Sequence, residues 1–227
     1  MDRMDILRKA NSLSTKNNII YFDLGKVEYN RAFGLQKDLF SLVQEKDCLG
    51  FLLLLQHPPV ITIGSNRSLE NLISGNKVLS KKKIDLVQST RGGDITFHGP
   101  GQLVAYPIIN LSRFGKDLSR YVYNLEQVII NTLNHFNIKG VRIEGHRGVF
   151  IGNKKIASIG IKIKKWTTMH GLALNVDTDL RYFKHIIACG LKQYHPTSMQ
   201  EILNTEVSFY YVKERLLAEF KKIFTGL

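Results

Sequence analysis

Cysteine is scarce in this chain of 227 residues: Cys48 and Cys189 are the two present. Two thiols so far apart form neither a disulfide framework nor a C-x-x-C clip, and a reducing compartment fits them. Long hydrophobic runs are also lacking. The longest, FLLLL at 51–55, has strand length and falls far short of the ~18 apolar residues that mark a membrane span. The first residues, MDRMDILRKANSLSTKNN, have no apolar h-region and carry two aspartates, against both a secretory signal and a transit peptide. These absences predict a soluble, cytoplasmic protein. Acidic residues are few beside basic ones, 19 Asp and Glu against 32 Lys and Arg, for a formal charge of +13. Such a field attracts nucleic acid, anionic membrane or an acidic protein, and charge alone does not choose among them.

Several signatures are missing as well. The sequence has no G-x-x-x-x-G-K-[ST] phosphate loop, no complete G-x-G-x-x-G after a strand, and no H-E-x-x-H or cysteine–histidine ligand spacing. Nucleotide, dinucleotide and metal chemistry of those kinds lose support, and neither a metal nor a cofactor is expected.

What is present is 44% hydrophobic, enough for a sizeable core, in patterns that switch between two periods. Tyr29, Ala32, Phe33, Leu39, Phe40 and Val43 recur at helical spacing with Gln36 the one polar interruption. A second helix is marked by Leu118 to Leu133 behind a candidate N-cap, Asp117, and a third spans about Ser208 to Phe224. Strands are expected at NIIYFDL, GFLLLLQH, VITIG and MHGLALNVD, with Pro58 and Pro59 interrupting any ladder between the second and third. GVFIGNKKIASIGIKIKK reads as a hairpin turning at Gly152-Asn153. Strands and helices mix without strict alternation, which predicts an α+β fold with a mixed sheet.

The candidate chemistry lies in four places. Strand alternation puts Lys155 on the side of Ala157, Ile159, Ile161 and Ile163, with Lys162 and Lys164 opposite. Pattern alone leaves Lys155 open between a strand-end lysine that snorkels to water and a desolvated lysine able to accept a proton near neutrality. Cys189, in IIACGLKQYHPTS, is either a small buried hydrophobe or a thiol at a pocket mouth, whereas Cys48 has only a structural setting. His98 and His170 each adjoin a glycine, in FHGPG and MHGLA, and Arg91-Gly92-Gly93 precede the first of them. Two glycine-flanked histidines on separate strands favour a site.

RGGDITFHGPGQLVAYPI, KIASIGIKI, HGLALNV and ACGL, in this order and spacing, resemble the lipoyl(octanoyl) transferases, which move an octanoyl group from acyl carrier protein to a lysine of a lipoyl domain. The resemblance covers roughly residues 20 to 200. It implies a mixed β-sheet flanked by helices like that of the biotin and lipoate protein ligases (class II aminoacyl-tRNA synthetase/biotinyl ligase-like), with 1–227 as a single catalytic domain. It further implies that Cys189 is the nucleophile that carries the acyl group as a thioester and that Lys155 lowers the thiol's pKa and moves protons. Arg91, Gly92, Gly93, Asp94, Ile95, Thr96, Phe97 and His98, then Ser158, Ile159 and Gly160, then His170, Gly171, Leu172 and Ala173, match the parts that line the acyl site. Glycines 92, 93, 99 and 101 are expected to close the backbone around the chain and to offer N–H donors near its carbonyl.

The partners implied are octanoyl-acyl carrier protein as donor, and the lipoyl domains of 2-oxo acid dehydrogenases and the glycine cleavage H protein as acceptors, in the first step of endogenous protein lipoylation. Neither nucleic acid nor membrane is implied. Two positions depart from the family pattern: Phe97 stands for a frequent tyrosine, removing a hydroxyl expected in the pocket, and Ala188 for a frequent proline, expected to loosen the loop. The alternatives are an ATP-dependent lipoate or biotin ligase, a lipoyl amidotransferase, and, in a different class, a nucleic-acid-binding module.

Overall fold

The structure, a computed structural model, describes residues 2–65, 69–190 and 193–225, the Cys189 side chain excepted. In chain order its elements are α1 (Arg3–Leu13), β1 (Ile19–Lys26), α2 (Tyr29–Lys46), β2 (Gly50–Gln56), β3 (Val60–Ile63), α3 (Asn76–Lys81), β4 (Asp85–Gln88) and β5 (Thr96–His98). There follow β6 (Gln102–Ile109), α4 (Leu118–Asn134), β7 (Val141–Ile143), β8 (His146–Ile151), β9 (Lys154–Lys164), β10 (Thr167–Asn175), β11 (His195–Pro196), α5 (Met199–Leu203) and α6 (Phe209–Thr225). The expected helices are all present. Asp117 caps α4, its carboxylate accepting the Arg120 N–H at 2.9 Å, which satisfies one of the orphan donors of the first turn.

The large sheet runs β1-β2-β6-β10-β9-β8-β7, with β11 alongside β9. β1 pairs β2 in parallel, β11 pairs β9 in parallel, and the remaining pairs are antiparallel, so the sheet is mixed as expected. Its central strands β2, β6 and β10 are buried on both faces. Leu52 and Leu54 of β2 pack under α4 and α6, while Phe51, Leu53 and Leu55 pack under α1 and α2. A fully buried leucine contributes about 1.5–3 kcal/mol, and FLLLL supplies one such anchor after another.

Pro58-Pro59 do more than interrupt a ladder. The chain leaves the large sheet after β2 and enters a second sheet, β4-β3-β5, with its own apolar cluster around Ile61, Ile95, Phe97 and Phe183. A cleft opens where this small sheet faces the α2 side of the large one.

The hairpin turns at Gly152-Asn153, Ile151 pairing Lys154, but β9 does not alternate regularly. Val149 pairs Ala157 while Phe150 pairs Lys155, so Ile156 is one residue too many. This bulge corrects the expected facing. Ile156, Ala157, Ile159 and Ile161 all belong to the core under α4 and α6, and Lys155 instead lines the cleft with Ser158 and Gly160. An inserted residue shifts the two-residue period by one, which re-aims every side chain on its far side.

Candidate active site

The cleft is a cavity of about 230 Å³ whose walls come from seven places in the fold. Arg91, Gly92, Gly93 and Asp94 arrive on the loop after β4, and Thr96 and His98 on β5. Lys155, Ser158, Ile159 and Gly160 come from β9, and His170, Gly171, Leu172 and Ala173 from β10. Tyr29 of α2 and Tyr106 of β6 close the buried side, and Gly145 of the β7–β8 turn with His146 and Arg147 at the start of β8 forms the more exposed rim.

Two expected lining residues point elsewhere. Ile95 and Phe97 alternate away from Thr96 and His98 and sit in the core of the small sheet, Phe97 stacked on Tyr182 with ring centroids 4.8 Å apart. The missing tyrosine hydroxyl therefore leaves the cavity untouched.

The glycines also work differently from the expectation. Gly92 N–H donates to Ile161 O at 2.8 Å and Gly101 N–H to Gln56 Oε1 at 2.7 Å, so neither is left for a reacting carbonyl. Gly99 and Gly101 pack protein on protein, against the Phe97 ring and Asp177. Close approach is the role the geometry assigns: a Cβ at Gly160 would meet Arg91 Cδ and Gly92 O, both at 3.1 Å. The Arg-Gly-Gly loop can thus lie flat on β9.

Arg91 is buried, yet its guanidinium is held. Nε donates to Thr62 Oγ1 at 3.1 Å and another nitrogen to Thr62 O at 2.7 Å. Around it stands a wall of neutral rings. His57 Nδ1 donates to Val27 O at 2.6 Å, because a carbonyl can only accept, and so Nε2 accepts the Tyr106 hydroxyl at 2.8 Å. His98 is fixed in the same way: Gln102 gives its amide N–H to Phe97 O, and its Oε1 receives His98 Nδ1 at 2.8 Å.

Burial, chiefly, keeps these imidazoles uncharged. It pushes His57 down to about 4, and His98 well below its ordinary value with His57 and Arg91 adding to the shift. His170 falls to about 3, through burial first and then the charges of Arg91 and Lys162. Its Nε2 meets Thr90 Oγ1 at 3.0 Å and its Nδ1 is buried without a partner among the described residues. Burial likewise raises the Tyr29 and Tyr106 hydroxyls. The result is an uncharged aromatic interior beneath one guanidinium, suited to an apolar chain with a polar head.

Lys155 is half-buried, its Nζ 5.2 Å above the Phe150 ring. Gly148, at φ +123°, makes room for it: a Cβ there would lie 2.9 Å from Lys155 Cε. Cys189 belongs to the short turn Ala188–Gly190, and its thiol lies outside the described residues. The turn itself is well anchored, Gly190 N–H to Ile187 O at 3.0 Å and Ile187 N–H to Asn71 O at 2.8 Å, with Ala188 packed on the small sheet's core. Alanine in place of proline is compatible with a held loop. Sequence reasoning passed over Tyr29, Tyr106 and Gly148; a tyrosine inside an otherwise apolar run was the one signal, since a buried hydroxyl needs a partner.

Among the described residues no group of His, Cys, Asp or Glu could hold a metal ion, and no helix is long and apolar enough to cross a membrane. Residues 28–221 match the family described as the lipoyl protein ligase A/B catalytic domain. An octanoyltransferase from Solibacter usitatus is 43% identical over 201 residues, 88% of this chain and 90% of that protein. Among solved structures, a putative lipoate protein ligase from T. acidophilum superposes with a TM-score of 0.70 at 16% identity, covering 92% of this chain and 85% of the other. A biotin protein ligase from Aquifex aeolicus gives 0.54 at 14%, over 92% and 71%. The two structural likenesses establish the expected ligase-like fold, and the sequence match goes further: this chain belongs to the lipoyl protein ligase A/B catalytic-domain family and, within it, to the octanoyltransferases.

Proposed function

We propose that the chain transfers an octanoyl group from acyl carrier protein to a lysine of lipoyl domains, through a thioester on Cys189. Lys155 takes the thiol proton, and the thiolate attacks the donor's thioester carbonyl. The tetrahedral intermediate collapses with loss of the carrier's thiolate, which recovers the proton from the Lys155 ammonium. The acceptor's neutral ε-amine then attacks the acyl-cysteine, the C–S bond breaks with loss of the Cys189 thiolate, and the proton lost by the amine passes through Lys155 to that sulfur. A free thiol near pH 7 is only a few per cent thiolate, so a basic neighbour raises the reactive fraction. Exchange of one thioester for another is close to energy-neutral, so no nucleotide is required.

The observation that carries this reading is the β9 bulge, which turns Lys155 into the cavity whose wall, at Asp94, abuts the turn bearing Cys189. The neutral ring wall of Tyr29, His98, Tyr106 and His170 supports an acyl chain as occupant. On this reading residues 1–227 act as one catalytic domain in the cytoplasm. The acceptors are lipoyl domains of 2-oxo acid dehydrogenases and the glycine cleavage H protein.

Intact mass after incubation with octanoyl carrier protein is the test. An octanoyl adduct mapping to Cys189, lost in Cys189→Ala, and ATP-independent modification of a lipoyl domain are expected. Strict ATP dependence, or full activity in Cys189→Ala, overturns the covalent route.

A further inference from the structure

We propose that Asn71 is a positioning residue for the Cys189 turn, tying it to the Asp94 wall of the cavity. This rests on the thioester reading above and adds a residue that does not itself line the cavity.

The link has two halves that meet at Asn71. Through its backbone, Asn71 anchors the segment that leads into the turn. Its carbonyl accepts the Ile187 N–H at 2.8 Å, Leu72 and Ile186 form an antiparallel bridge, and Ile73 and Ser74 donate to His185 O at 2.9 and 3.2 Å. Ser74 Oγ adds a contact to His185 Nδ1 at 2.7 Å. Through its side chain, Asn71 reaches the cavity: Nδ2 donates to Asp94 Oδ2, a charge-assisted bond.

The turn rests directly on that pair. A Cβ at Gly190 would lie 3.2 Å from Asp94 Oδ2 and 3.3 Å from Asn71 Nδ2, and Gly190 holds φ +68° there. The Asn71–Asp94 pair is thus the floor under the residue that follows Cys189. Asp94 Oδ1 is buried and has no hydrogen-bond partner among the described residues, so the Asn71 amide is the bond that orients this carboxylate. Moving either member shifts the floor, and with it the sulfur-bearing turn. Attack on a carbonyl needs atoms within about 3–3.5 Å, and a displacement of ~1 Å can cost about 100-fold in rate.

The test measures steady-state octanoyl transfer from octanoyl-pantetheine to a lipoyl domain, the rate of adduct formation on Cys189 and the thermal midpoint for Asn71→Ala, Asn71→Asp, Asp94→Asn and the double variant Asn71→Asp/Asp94→Asn. Asp94→Asn keeps a carbonyl acceptor for Asn71 but alters a wall of the cavity, so its own rate is the reference against which the double variant is read. Asn71→Asp sets two carboxylates against each other, and Asn71→Ala removes the donor. Each should lower kcat by roughly 10- to 100-fold with KM changed by less than about threefold. The double variant restores one donor and one acceptor with their places exchanged, and should recover most of the rate of Asp94→Asn. Recovery separates positioning from a general loss of fold. A double variant no faster than Asn71→Asp, or wild-type kcat in Asn71→Ala, overturns the proposal. If wild-type protein transfers octanoyl with no adduct on Cys189, the thioester reading falls and this one with it; an adduct that forms at full rate in the Asn71 variants overturns only the positioning role.

Discussion

Gln36 and His170, 134 positions apart, are joined by a hydrogen bond in which the backbone N–H of His170 donates to Gln36 Oε1 at 2.8 Å. His170 sits at φ +58°, a conformation uncommon for a residue with a side chain, so its N–H is turned out of the β10 ladder toward α2. The one polar residue in the apolar stripe of α2 is there to receive it. Gln36→Leu leaves that N–H buried and unsatisfied, which should cost about 1–3 kcal/mol. Denaturant unfolding measures it; an unchanged midpoint with an unchanged slope would show that the bond carries no stability.

Lys155→Met keeps the aliphatic stem that crosses Phe150 and removes the amine. Folding should survive while acylation falls by roughly 10²- to 10⁴-fold, the range for a lost acid–base group, and the alkylation profile of Cys189 should move to higher pH. Gly148→Ala should lose both rate and stability, because the added Cβ meets Ala157 O at 2.3 Å as well as the lysine stem, at a φ of +123°. Full activity in Lys155→Met would make the lysine a bystander.

Acid should unfold this protein early. His57 and His170 are held at about 4 and 3 in the folded state, against an ordinary value near 6.5 in the unfolded chain. Between those values the unfolded state binds the extra proton, so the stability these groups contribute is intact above about pH 6.5 and declines as pH falls. The slope is about 1.4 kcal/mol per pH unit for each histidine, continuing toward pH 4 for His57 and pH 3 for His170. Thermal midpoints between pH 7.5 and 4.5 should drop steeply, and less so in a His57→Gln variant; a flat profile would contradict the neutral ring wall.

Salt should act on encounter more than on chemistry. Lys162 adds to the burial that depresses His170, and Lys82 to the burial that depresses His185, so basic charge stands beside a residue of the cavity and beside the segment that leads to the Cys189 turn. Such fields are screened over about 8 Å at physiological ionic strength. Raising salt should lower kcat/KM for octanoyl carrier protein far more than for octanoyl-pantetheine. Charge reversals in Lys81–Lys83 or Lys162–Lys165 should reproduce part of that loss, and equal salt dependence for the two donors would remove the charge from substrate capture.

The periods of the apolar residues determined the three long helices and five strands of the large sheet, β1, β2, β8, β9 and β10, because burial of one helical stripe or of alternate strand residues is a local demand that any fold must meet. Asp117 as a cap and the Gly152-Asn153 turn were legible because they too are local, whereas the segments around 91–98, 158–160 and 170–173, most of whose residues line the cavity, were marked by their resemblance to a family pattern. Tertiary structure decided what depends on phase and on distant partners. The bulge at Ile156 aims Lys155 at the cavity, a reversal that strict alternation through KKIASIGIKI does not foresee, since a bulge is selected by the pairing of β9 with β8. Phe97 turns into the core of a second sheet that forms only once Pro58-Pro59 have taken the chain out of the first. The N–H groups of Gly92 and Gly101 go to Ile161 and Gln56, and Asn71 reaches Asp94, through contacts between residues 23 to 69 positions apart. Hydrogen bonds over such separations leave no period in the sequence, because their partners become neighbours only when the sheets have packed.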